Sequence, residues 1–377
     1  MPVLLPPDYP DTDSSAFLGA RNRHSPAQAT DSSRPLVIGL LNNMPDGALE
    51  ATERQFIALL RSAATEFTVR LVLCSLPGVP RGEAATAHLQ RHYVCIESLW
   101  NAGIDGLIVT GREPLSPSLR DEPYWDSFVR VLEWAREKTC ASVWSCLAAH
   151  AAVLHMDGIQ RVRSERKYSG IFDCECVADH AITAGIQHHF RVPHSRWNGL
   201  PEEALLRSGY QVLARAGDAG IDCFARQAGS LFLFFQGHPE YQPDTLLLEY
   251  RRDVLRCLRG ETAAWPGTPR GYLQAGDEKQ LLELQREAAS RSEEETLRRV
   301  TKLFSAKSTE NGWHATAAIL YRNWLTYISG ERERRLEKKE PLTVPAPEPD
   351  GPHPLENGIL CRREGMPGDR GILSQIS

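Results

Sequence analysis

ASVWSCLAAHAAVLHM, residues 141–156, is the stretch on which the fold turns. Its first half is short, apolar and β-branched or aromatic, as a buried strand is, and its second half has the alanine-rich spacing of a helix. Cys146 stands at the join. A side chain on a tight strand-to-helix turn projects into solvent. There its thiol meets the unpaired N–H groups and positive dipole end of the helix, which favour thiolate. That is the geometry of a nucleophile elbow. The backbone must bend sharply, and Ser145, Ala148 and Ala149 suit that need better than Trp144 and Leu147 do. The competing reading is a buried core cysteine, since free cysteine is among the most buried residue types.

Working outward toward the N-terminus, PLVIGLLNNMP is a continuous apolar run that closes on Asn-Asn and Pro. It predicts a central parallel strand with a loop at its carboxyl end. ALEATERQFIALLRSAA places Leu49, Phe56, Leu59 and Leu60 largely on one helical face. A second strand is expected from Thr68 to Cys74, a helical or mixed stretch after it, a third strand over 105–111, and a helix to about Lys138. This alternation predicts an α/β fold: a mostly parallel, doubly wound sheet with helices on both faces. Ligands bind beyond the carboxyl ends of such strands. The loops carrying Met44-Pro45, Thr110-Gly111 and Cys146 are therefore expected to meet at one cleft.

Downstream, residues 167–196 look less regular, rich in His and turn residues. A hairpin pair then feeds the apolar strand SLFLFFQ, which His238 and Glu240 follow at once, and a helix runs to about Arg259. The expected organisation is a flexible arm over 1–34, one domain over 35–260, a linker and C-terminal helices over 261–340, and a disordered tail over 341–377.

A chain of 377 residues has ample length for a large core, and a formal net charge of −5 leaves no global basic field, so nucleic acid is not an expected partner. No apolar run approaches membrane-spanning length and the first residues lack a basic, apolar leader, so a cytoplasmic location is expected. Nine cysteines, an odd number without a C-x-x-C pair, read as reduced thiols. Cys174 and Cys176 with His180 nearby hint at a metal, but two-residue alternation is what a strand gives, and no metal is expected.

A thiol nucleophile needs a base, and the base needs a group to orient it. In GHPEY, His238 and Glu240 lie two apart and point the same way when extended. Cys146, His238 as base and Glu240 as orienting carboxylate complete a triad. Two backbone N–H groups, of Leu147 at the helix start and of Arg112 after Thr110-Gly111, are the candidate oxyanion hole. Gly111 reads equally as an ordinary turn glycine.

These residues resemble a known family. LLNNMP (40–45), TERQ (52–55), DGLIVTG (105–111), PYW (123–125), VLEWA (131–135), the elbow, K-SGIF (167–172), VPHSR (192–196), GHPEY (237–241), RDV (252–254) and NWLTY (323–327) occur in the order found in MetA-type homoserine O-acyltransferases. That family resembles class I glutamine amidotransferases refitted for acyl transfer. The resemblance implies an acyl-enzyme on Cys146, with acyl-CoA (succinyl-CoA or acetyl-CoA) as co-substrate, L-homoserine as acceptor, methionine biosynthesis as the setting and no bound cofactor. It implies substrate contacts at Lys167, Ser195, Arg196 and Arg252, whose cations suit carboxylates and phosphates. For Arg252 the alternative is an ion pair with Glu249 at i, i+3. The family and the C-terminal helices also make a homodimer an expectation.

The chain departs from the family in two loops. MPDGALEATERQ is two residues longer than usual and lacks the lysine that commonly follows Met-Pro. In GREPLSPSL, Leu115 falls where relatives carry Gly for succinyl donors or Glu for acetyl donors, so Glu113 could stand in for that glutamate, or Arg112 could pair with succinyl. The succinyl donor is preferred. Competing readings are a glutamine amidotransferase-like amidase, although W-S-C-L-A is not the usual G-x-C-x-G elbow, transfer to another hydroxy amino acid, and a non-catalytic binding protein.

Overall fold

The computed structural model describes residues 3–10, 34–273, 275–305 and 312–338. The tail expected over 341–377, and most of the arm expected over 1–34, lie outside them. In chain order the elements are β1 (Val3–Leu4), β2 (Leu36–Leu41), α1 (Asp46–Ala63), β3 (Val69–Cys74), α2 (Glu83–His92), α3 (Ile96–Leu99), β4 (Gly106–Val109), α4 (Trp125–Lys138), β5 (Ala141–Ser145) and α5 (Leu147–Asp157). They continue through β6 (Val162–Cys176), β7 (His189–Gly199), α6 (Glu202–Arg207), β8 (Gln211–Arg215), β9 (Ile221–Ala228), β10 (Ser230–Phe235), α7 (Thr245–Leu258), α8 (Ala275–Glu287), α9 (Glu293–Ser305) and α10 (His314–Glu337).

All ten strands form one sheet in the order β1-β3-β2-β4-β5-β10-β9-β8-β6-β7. Pairing is parallel from β1 across to β10 and antiparallel from β10 across to β7. The central parallel strands β2, β4 and β10 are almost wholly apolar because both faces are covered, whereas β3, next to the edge strand, leaves Arg70 exposed. In β10, Leu231, Leu233 and Phe235 point into one core while Phe232 and Phe234 point into the other, and Ile38 and Leu40 of β2 oppose Val37 and Leu41 in the same way. Helices α1 and α10 cover the first face, and α4 and α5 the second.

Four expectations need correcting. Residues 167–196 are not irregular: β6 and β7 are long antiparallel strands, and their many polar residues reflect a ribbon that is partly exposed. The arm is not free at its start, because Val3 and Leu4 add a parallel edge strand beside Val69 and Arg70. The stretch read as a linker is stitched to β6: Arg270 N–H donates to Ser169 O, and Ile171 N–H donates to Arg270 O, both at 2.8 Å. A Cβ on Gly170 would lie 2.2 Å from Arg270 N, so only glycine allows that approach. The last helix is core rather than appendage. Tyr321, Trp324, Leu325 and Ile328 of α10 are fully buried, and the helix sits so close that a Cβ on Gly106 would meet Ile328 Cδ1 at 2.5 Å.

Candidate active site

Cys146 closes β5 and caps α5 with φ 50° and ψ −107°, a conformation that L residues adopt only under constraint. Its N–H donates to Phe235 O at 2.7 Å, which pins the turn to the end of β10. The elbow also needs room. A Cβ on Gly111 would fall 2.6 Å from both Ala148 N and Leu147 Cβ, so Gly111 is no ordinary turn glycine. It lets the loop after β4 press on the first turn of α5 and bring the Arg112 backbone beside Leu147. Asn43 holds this loop, donating from its backbone to Thr110 Oγ1 at 2.9 Å and from its side chain to Thr110 O at 3.1 Å.

His238 and Glu240 sit one strand away, beyond β10. The His238 Nδ1 to Glu240 Oε1 distance is 2.8 Å, and both side chains are buried. Burial alone would push the His238 pKa down, but the Glu240 carboxylate and Cys146 beside it outweigh that and hold it well above the ordinary histidine value. The dyad is gripped from below. His238 N–H donates to Pro193 O at 2.8 Å, and Gly237 N–H donates to Asp222 Oδ1 at 3.1 Å. Asp222 in turn faces His194 Nε2 at 3.3 Å. Gln236 bridges His150 and the backbone of Leu200 and Ile221, and burial keeps His150 neutral by pushing its pKa down to about 3.

Tyr241 connects the dyad to α7. Its ring stacks on His238 with centroids 4.1 Å apart, and its hydroxyl donates to Glu249 Oε1 at 2.6 Å. Ser195 donates to the other oxygen of Glu249. Lys167 Nζ lies 2.7 Å from Asp253 Oδ2, and Arg252 holds Asp253 Oδ1 at 3.0 and 3.1 Å. Burial would raise the Asp253 pKa, but the Lys167 and Arg252 cations outweigh it and hold the carboxyl below its ordinary value. Lys167, Ser195 and Arg252 thus gather on one face of α7. The i, i+3 contact expected between Arg252 and Glu249 gives way to the Arg252–Asp253 pair.

Arg196 behaves differently. It is only 4 % exposed, and its guanidinium donates to His194 Nδ1 at 3.3 Å, to Asn198 O at 2.7 Å and to Ala219 O. That leaves little of it for a substrate carboxylate, although Cys146 is its strongest charge neighbour. Glu113 is bound by Arg256 at 3.0 and 3.3 Å. Leu115 is half exposed, and its N–H donates to Glu122 Oε1 at 2.7 Å. A small apolar pocket beside the elbow is lined by Gly111, Arg112, Glu122, Tyr124, Leu147 and Ala151.

Several residues of this region escaped the sequence reading. Glu249 and Asp253 carry the contacts on α7, the first read from the sequence only as a partner for Arg252 and the second only as the middle of RDV. Arg161, half-buried near Cys146 and Glu122, follows the elbow helix without a motif of its own. Arg81 donates to Asn42 O at 3.2 Å and to Met44 O, bringing a cation to the loop that lacks the family's lysine. Cys174, Cys176 and His180 do not converge: the Cys176 thiol faces Ala178 O and His180 Nδ1 accepts from Ile182 N–H. Cys174 instead lies with His194 and Asp222, donor atoms within 4.8 Å of one another. Arg196 already holds the other ring nitrogen of that histidine.

A model of the homoserine O-succinyltransferase family matches residues 19–334. A homoserine O-succinyltransferase of Rhodopseudomonas palustris is 44 % identical over 298 residues, covering 79 % of this chain and 90 % of that protein. One from Bradyrhizobium japonicum is 44 % identical over 295 residues, covering 78 % and 90 %. Among solved structures, a glutamine amidotransferase of Methylobacillus flagellatus aligns with a TM-score of 0.45 at 13 % identity, over 78 % of this chain and 94 % of that one.

Proposed function

Because the chain belongs to the homoserine O-succinyltransferase family, we propose that it transfers an acyl group, succinyl in preference to acetyl, from acyl-CoA to the hydroxyl of L-homoserine in methionine biosynthesis. The observation that carries this reading is the strained Cys146 elbow facing a buried His238–Glu240 dyad 2.8 Å across. The cytoplasmic location and dimeric assembly implied by the family belong to the same proposal.

In the first half-reaction Cys146, its proton held on His238, attacks the thioester carbonyl as thiolate. The oxyanion that forms is stabilised by the N–H groups of Leu147 and Arg112. Collapse breaks the carbon–sulfur bond to CoA, whose thiolate takes the proton from the His238 imidazolium, and the acyl group stays on Cys146. Acylation also removes the Cys146 charge, one of the two that hold the His238 pKa up against burial. His238 is then poised as a neutral base. It takes the homoserine hydroxyl proton as the oxygen attacks, and Cys146 leaves as thiolate beside the restored imidazolium. On α7, Arg252 suits the amino-acid carboxylate and Glu249 its ammonium group, with Asp253 and Lys167 holding Arg252 in place.

The test is the intact mass after brief exposure to succinyl-CoA or acetyl-CoA without acceptor. A thioester adduct that L-homoserine clears, absent in Cys146→Ala, is the expected result. An adduct that homoserine fails to clear would replace the acceptor, and glutamine hydrolysis without any adduct would replace the chemistry with that of an amidase.

A further inference from the structure

A cluster of arginines outside the dyad lies where β6 and β7 part. Their pairing stops at Arg163 opposite Asn198 and resumes at Tyr168 opposite Arg196, so four residues of β6 face a single residue, Trp197, on β7. A bulge of that size cannot keep the ladder closed. It opens a groove, exposed to solvent on one side and walled opposite by residues 218–220. Arg163 and Arg166 stand on the bulge and Arg196 lies in the groove lining.

The charges here are unbalanced in a chain whose formal net charge is −5. Asp218 is shared between Arg166 and Arg270, each at 2.7 Å. Glu165 is the other acid in the groove. Arg163 has no ion pair among the described residues, and its guanidinium lies 4.5 Å over the exposed ring of Trp197. Arg161, two residues before Arg163 and outside the groove lining, is likewise without a hydrogen-bond partner among them, and it neighbours both Arg163 and Cys146. Arg163 on the rim is thus followed by Arg161 and Arg196, both of which have Cys146 as a charge neighbour. Arginines bind phosphate oxygens in bidentate fashion.

We propose that this groove seats the phosphorylated adenosine diphosphate end of the acyl-CoA co-substrate, with Arg163 and Arg166 on its phosphates. The acyl end then lies toward Arg161, Arg196 and Cys146. The proposal rests on the acyltransferase reading for the identity of the ligand, but its site can be tested without turnover. Adenosine 3′,5′-bisphosphate is titrated calorimetrically into the full-length protein and into Arg163→Glu/Arg166→Glu, with Arg163→Ala as a milder variant should the double reversal not fold. Binding to the unaltered protein, weakened roughly tenfold or more in the variant, is expected. The KM for succinyl-CoA should rise by a similar factor, and that for succinyl-pantetheine, which lacks the nucleotide, far less. Absence of bisphosphate binding, equal binding by the variant, or an equal rise in KM for both donors would overturn the proposal. Bisphosphate binding through these arginines in a protein that forms no acyl adduct would leave the groove standing and overturn the acyltransferase reading alone.

Discussion

The parallel half of the sheet, from β1 across to β10, is buried on both faces and ends in Cys146 and His238, whereas the antiparallel half, from β9 across to β7, leaves much of β6 exposed and carries Lys167, Ser195 and the arginine groove. Bond-making groups must be held to fractions of an ångström, which close-packed strands supply. Recognition of a large, charged co-substrate needs open surface and a backbone that can bulge, which a half-exposed antiparallel ribbon supplies. One sheet thus divides rigidity from reach. Substitutions in the first half should act on the chemical step and those in the second on binding.

The sharpest test of the division is Cys146→Ala. Turnover should fall by roughly 10⁴-fold or more, with no acyl adduct by mass and a thermal transition close to that of the unaltered protein. Retained activity would place the nucleophile elsewhere and break the comparison at its root.

Glu240→Gln comes next, with an expected loss of about 10- to 100-fold in kcat. Removing the carboxylate takes away a charge that raises the His238 pKa against burial, so the limb of the pH profile that reports His238 should move to lower pH. The same linkage has a stability sign. A raised histidine pKa stabilises the fold below the unfolded value of about 6.5, and this contribution fades as pH climbs through the folded value. Glu240→Gln should therefore lose stability mainly on the acid side, and an unmoved limb would mean that the dyad is held by geometry without charge.

Lys167→Met probes the other half. It removes the 2.7 Å partner of Asp253 and should raise the KM for homoserine about tenfold while leaving kcat within a few-fold. A kcat loss as large as that of Glu240→Gln would erase the distinction between the two halves.

The smallest effect is a gain. Cys146→Gly relieves the φ of 50° and should stabilise the inactive protein by up to about 1 kcal/mol in chemical denaturation, the strain being the cost of the elbow. Equal or lower stability would show that the turn carries no strain.

How far each part could be read from the chain follows from its burial. The strands of the parallel half are short apolar runs closed by Asn-Pro, Gly or Cys, and the helices between them show one apolar face, so their order and the cleft at their ends were readable. In β6, VRSERKYSGIFDCEC mixes charge, aromatic and apolar residues over fifteen positions, because the strand is exposed at one end and buried at the other. Neither period stands out in such a stretch, and it reads as a loop. Helix α10 misled in the opposite way: its apolar first half was visible, but nothing local says that Trp324 and Ile328 rest on Gly106, more than two hundred residues earlier.

The proposed triad was readable because each member is tied to a local event: a strand-to-helix join for Cys146, and a two-residue spacing after an apolar strand for His238 and Glu240. By sequence alone the chain determined its α/β class and pointed to Cys146, His238 and Glu240 as a triad, and family resemblance pointed to Lys167, Ser195, Arg196 and Arg252 as substrate contacts. Only the tertiary structure decided which partners those side chains meet. Lys167 and Ser195 reach acids on α7 more than fifty residues away, Arg196 is spent on carbonyls and His194, and Gly111 serves the elbow. Local order follows from hydrophobic period and turn chemistry, which lie within a window of the chain. Pairing of charges and close approach of backbones depend on which distant segments the fold brings together, and that is set by packing.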